Sequence, residues 1–94
     1  MSVDDKFYDR ADEHIHLANQ HLDAVSRGKV SASFMYAVSR FNAWVSASGF
    51  SNGDEMAASK DETVEYFVAQ YRAMLTENMD DYISNFDRYM RQQE

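Results

Sequence analysis

The sequence predicts an all-α fold: an antiparallel helix pair followed by a long third helix, packed as a helical bundle. Three observations predict it. The 94 residues contain no proline, the strongest helix breaker. The three glycines fall where helical patterns stop. Apolar residues recur at steps of three and four through most of the chain. A chain of this length makes a single domain, 1–94, with room for one modest core.

The chain is organised around residues 30–53. Between Lys29 and Asp54 it carries one charged side chain, Arg40, in a protein that is 27% charged. A surface helix keeps one face for water, so a segment this poor in charge is expected to be covered from at least two sides. The second helix should therefore be the most buried.

The first helix is expected over about 3–27. Ser2 and Asp5 have capping-box spacing, and Asp4 and Asp5 suit the positive end of the helix dipole. Its apolar stripe is Tyr8, Ala11, Ile15, Ala18, Leu22, Val25. Arg27 suits the last turn, and Gly28 supplies a left-handed stop. The second helix is expected over 31–48, capped by Ser31, with Val30 and Met35 spaced as a hydrophobic staple. Phe34, Val38, Phe41, Val45 form its inner stripe, with Ala37 and Trp44 beside it. Gly49 ends it, with Phe50 folding back on Val45 in a Schellman arrangement.

Residues 51–59 form the connection, in which Asn52-Gly53-Asp54-Glu55 suits the cap of one helical turn. Ser59-Lys60-Asp61-Glu62 is a second capping box, which places the third helix over 60–91. The third stripe runs from Val64 through Tyr71 to Met90, with two successive steps of four between Tyr71 and Tyr82. Such a stutter, followed by Asn78-Met79-Asp80-Asp81, marks a place for a kink. At 1.5 Å per residue the three helices span roughly 36, 27 and 48 Å, so the third overshoots the others. Burying a side chain such as Tyr82 or Phe86 contributes about 1.5–3 kcal/mol. Either the chain bends near Asn78 and returns to the core, or a second copy covers the tail. The sequence favours the second copy: a homodimer through the third helix.

Composition excludes several function classes. Without cysteine there are no disulfides, thiolate metal sites or cysteine nucleophiles. The net charge of −7, with no basic cluster beyond Arg27-Gly28-Lys29, argues against nucleic acid and anionic membranes as partners. Residues 30–53 are long enough to span a bilayer. However, the serines, Asn42, Asn52 and Arg40 oppose it, mid-membrane Arg costing about 2.5–3.5 kcal/mol. The acidic start has no apolar run and does not read as a secretory signal, so a cytoplasmic protein is expected.

No enzyme is expected. His14, His16 and His21 lack the i, i+4 spacing of helical zinc ligands, and no metal or cofactor is assigned. Asp54-Glu55, Asp61-Glu62 and Asp80-Asp81 sit where carboxylates stabilise helix starts or the kink. Arg40 stands out as a cation inside the most apolar stretch. It is expected to pair with Asp12, Glu13 or the third helix, or else to anchor an anionic ligand between helices. Asn19 and Asn42 join the same polar network, with Tyr71 as a wall. The leading function is thus a non-enzymatic helical interaction module. The alternative is a domain that binds a small anionic molecule or a metal.

The strings FYDRADEHIHLAN, SASFMYAVSRFNAW and EYFVAQYRAMLTENMDDY resemble a family of small proteobacterial proteins known as a domain of unknown function. The likeness covers most of the chain and implies a compact helical domain. It implies no activity, substrate or cofactor.

Overall fold

The computed structural model describes residues 3–91. They form five helices and no strand: α1 Phe7–His21, α2 Arg27–Ala47, α3 Gly53–Ala58, α4 Lys60–Ser84 and α5 Phe86–Met90. The fold is all-α, as the sequence predicts. The chain divides into two units, Met1–Ser48 and Gly49–Glu94.

In the first unit, Asp4 sets the start of α1. Its carboxylate accepts from the Lys6 backbone N–H at 3.1 Å and takes a bidentate grip from Arg10 at 3.0 and 2.8 Å. Its carbonyl accepts the Phe7 N–H at 3.1 Å. The helix therefore begins at Phe7 rather than near Val3; Ser2, the expected cap, lies outside the described residues.

Beyond His21 the N–H groups of Leu22, Asp23 and Ala24 donate three residues back, at 3.2, 3.3 and 3.1 Å. This tightening ends α1 short of the expected residue 27. Ser26, extended at φ −69° and ψ 158°, then caps α2 by accepting from the Lys29 N–H at 3.4 Å. That early cap draws Arg27, Gly28 and Lys29 into the helix. Gly28 is thus no left-handed stop, and Ser31 is no cap. Val25 and Val30 take the staple spacing instead, and Val30 is 7% exposed against 53% for Met35. α1 and α2 touch, and with their short link they form an αα-hairpin.

The far end of α2 also departs from expectation. The Ser48 N–H donates to the Trp44 carbonyl at 3.0 Å, and no glycine has a positive φ. The Schellman arrangement at Gly49 therefore does not form. Ser33, Ser39 and Ser48 donate their hydroxyls to the carbonyls three residues back, at 3.1, 2.8 and 2.6 Å. These serines are satisfied by their own helix, so they place no polar demand on whatever packs against it.

In the second unit, Asn52 caps α3 as predicted. Its side-chain oxygen accepts the Glu55 N–H at 2.9 Å, and the Glu55 carboxylate accepts the Ser51 N–H at 3.0 Å. Ser59 makes no side-chain cap, contrary to the capping box read there. It is the lone residue between α3 and α4, at φ −104° and ψ 4°, away from the extended geometry that aims a cap. α4 continues unbroken through Asn78, whose side-chain amide donates to the Met74 carbonyl at 2.9 Å. The break comes at Asn85 (φ −121°, ψ 28°), whose amide donates to the Asp81 carbonyl and carboxylate at 3.1 and 2.9 Å.

Burial is where the structure departs furthest from expectation. Among the described residues Val30 alone is buried. α2, predicted to be the best covered helix, exposes Phe41 by 61% and Trp44 by 65%. A segment's low charge tells that it favours cover; it does not by itself supply the cover.

Candidate interaction surface

The charge-poor face of α2 is built from Phe34, Val38, Phe41, Trp44 and Val45, which helical spacing places on one side. Phe34 is half-buried, and the other four are exposed. The rings of Phe41 and Trp44 lie 5.7 Å apart, tilted by 36°, within the range of favourable aromatic pairs. No Asp or Glu occurs between Asp23 and Asp54, although that stretch carries Arg27, Lys29 and Arg40. The acid excess of the chain therefore lies entirely outside α2.

Arg40 is exposed at the margin of this patch. Within the first unit Arg40 pairs with neither Asp12 nor Glu13; the ion pairs among the described residues are Asp4–Arg10 and Asp87–Arg91. Exposure removes the reason for a pairing, because a hydrated guanidinium needs no carboxylate. The residues read as its network are spread over α1, α2 and α4. Asn42 is half-buried, Asn19 and Asp12 are exposed on α1, and Tyr71 is exposed on α4. Within the first unit no hydrogen bond joins Arg40, Asn42, Asn19 and Asp12, and no polar side chain among the described residues is buried.

Among the described residues no three His, Asp or Glu side chains gather as metal ligands do. His16 faces the Gln20 amide at 3.3 Å. A shallow depression on α4 is lined by Glu62, Thr63 and Tyr66. No helix among the described residues is long and apolar enough to cross a membrane.

A second exposed stripe runs along α4 through Val64, Val68, Tyr71, Leu75 and Met79. Beyond it lies a cluster that the sequence reading missed. Tyr89 donates its hydroxyl to Asp81 at 2.9 Å, lies 4.6 Å from the Tyr82 ring at a 41° tilt, and carries the Arg88 guanidinium 5.0 Å over its ring. The signal was present: Asp81, Asn85 and Tyr89 recur every four residues, the spacing that aligns side chains on a helix.

Residues 7–83 match a family model described as a protein of unknown function, DUF3144. The chain belongs to the DUF3144 family. The matched region holds α1, α2, α3 and all of α4 but Ser84, and so both exposed stripes; the Asn85 break and α5 fall beyond it. No curated protein and no solved structure matches the chain.

Proposed function

We propose that this DUF3144 protein is a non-enzymatic helical interaction module that self-associates as a homodimer through its third long helix, α4. The observation that carries the reading is the near absence of a core. The described residues bury one apolar side chain, yet leave Val38, Phe41, Trp44, Val68, Tyr71 and Leu75 between 42% and 65% exposed. An exposed aromatic side chain presents on the order of 100 Å² or more, from whole-residue values of about 150–250 Å². Several such side chains on one helix face add up to a patch of a few hundred Å², about the size that marks an interaction site. A cytoplasmic setting suits a small cysteine-free acidic chain.

Light scattering from low to high micromolar concentration tests this reading. A dimer is expected, and truncation after Glu77, which removes Tyr82, Ile83, Phe86 and Met90, should abolish it. A monomer throughout would end the proposal. One observation favours a second reading: Arg40 is a cation without a partner among the described residues. A thermal-shift screen of anionic metabolites tests it. A rise of several degrees, lost in Arg40→Met, would favour ligand binding over self-association.

A further inference from the structure

We infer that the junction of α4 and α5 is a latched bend. The Asp81 carboxylate and the Tyr89 hydroxyl hold the chain bent at Asn85, and releasing that bond lets α4 and α5 join into one helix from Lys60 to Met90. The latch lies wholly within the second unit and does not depend on the homodimer reading.

The chain around Asn85 is otherwise suited to continuous helix. Neither glycine nor proline occurs after Gly53. A helix broken without them commonly has a side chain inserted into its ladder. The apolar steps of three and four run on through the break, as Tyr82, Phe86, Tyr89 and Met90. Backbone bonds reach four residues back on either side of it: the Asn85 N–H to the Asp81 carbonyl at 3.0 Å, and the Tyr89 N–H to the Asn85 carbonyl at 3.1 Å. Asn85 itself, at φ −121° and ψ 28°, leaves helical geometry between them.

A control lies within α4. Asn78 also donates its amide to the carbonyl four residues back, at 2.9 Å, and the helix runs on unbroken. An asparagine reaching back to a carbonyl is therefore not enough to break this helix. Asn85 differs in having a carboxylate four residues back, where Asn78 has Met74. One oxygen of Asp81 accepts the Asn85 amide at 2.9 Å, and the other accepts the Tyr89 hydroxyl at 2.9 Å. In a straight helix residues eight apart are separated by about 12 Å, and only those three or four apart are neighbours. The bend brings Tyr89 within reach of Asp81, and a straight helix forfeits that bond. Arg88 and Tyr82 hold the tyrosine in place: the guanidinium donates to its hydroxyl oxygen at 3.2 Å, and the Tyr82 ring lies 4.6 Å away. The latch thus decides whether the residues after Ser84 turn aside or lengthen α4 by about 9 Å.

Nuclear magnetic resonance on the full chain tests this, because the three-bond coupling between amide and α protons reads φ. In the parent the coupling at Asn85 should be large. It should fall to the small helical value in Tyr89→Phe, which loses only the hydroxyl, and in Asp81→Ala. Asp80→Ala, a neighbouring carboxylate outside the latch, should leave it large. A small coupling in the parent, or a large one kept in Tyr89→Phe, overturns the inference. So does an Asp80 variant that acts like the Asp81 one. A coupling averaged to a disordered value, with fast exchange at the Phe86 to Met90 amides, overturns it as well, since the tail would then unravel instead of joining α4.

Discussion

Asp4 shows how one side chain sets an end of this fold. The Arg10 guanidinium, bonded to both carboxylate oxygens, holds the Asp4 pKa at about 2, below its ordinary 3.8. A carboxyl with a depressed folded pKa adds stability above its unfolded value and loses it as pH falls through the folded one. The start of α1 should therefore stay ordered at pH 4 and fray as the pH approaches 2. Asp4→Asn should fray it at neutral pH as well. Hydrogen exchange at the Lys6 and Phe7 amides reads both, since each donates to Asp4. Unchanged protection in the variant would mean that the first turn holds without its anchor. Val30 is the residue-scale counterpart in the interior. Replacing it by Ala removes two buried carbons, a loss of about 1.6 kcal/mol at about 0.8 per methylene. Denaturant unfolding should show this, whereas an equally conservative change at exposed Val45 should cost little in a monomer.

At the scale of the helices, the caps carry the sharpest contrast. Asn52 accepts at 2.9 Å, Ser26 at 3.4 Å, and Ser59 makes no cap at all. Alanine should accordingly cost about 1 kcal/mol at Asn52, about 0.5 at Ser26 and less at Ser59, as measured by denaturant unfolding. A Ser59 variant as damaging as the Asn52 one would contradict the geometry. Helix existence was legible from residue spacing, because a stripe at steps of three and four is redundant over many residues. The boundaries were not. Ser26 and Ser31 both follow a valine, Val25 and Val30, and only the extended backbone at Ser26 selects between them. The same limit applies at Asn78 and Asn85. Each asparagine donates to a carbonyl four residues back, but Asn85 leaves helical geometry and Asn78 does not. The proposed polar site was legible only as composition. Arg40 does interrupt an apolar stretch, yet burial depends on what lies across the face, and no local pattern encodes that.

For the whole molecule, the conflict between an apolar α2 and an exposed α2 has a direct optical test. Trp44 is the one tryptophan in the chain and lies 65% exposed at the centre of the patch. In a monomer its emission should be that of a hydrated indole at every concentration. In the dimer the partner covers it, so emission should shift to the blue as concentration rises, tracking the mass seen by scattering. Trp44→Ala separates the two states energetically. An exposed side chain away from caps and core changes monomer stability by no more than about 0.5 kcal/mol. A buried aromatic anchor at an interface costs about 2 kcal/mol or more, roughly a thirtyfold weaker dimer. Sedimentation of the variant should thus show a dissociation constant raised by that factor. Its unfolding midpoint should lose the rise with protein concentration that mass action gives an associating chain. A variant that sediments and unfolds like the parent would show that the Phe41–Trp44 face stays bare, and would leave the lack of charge in α2 without a partner to explain it.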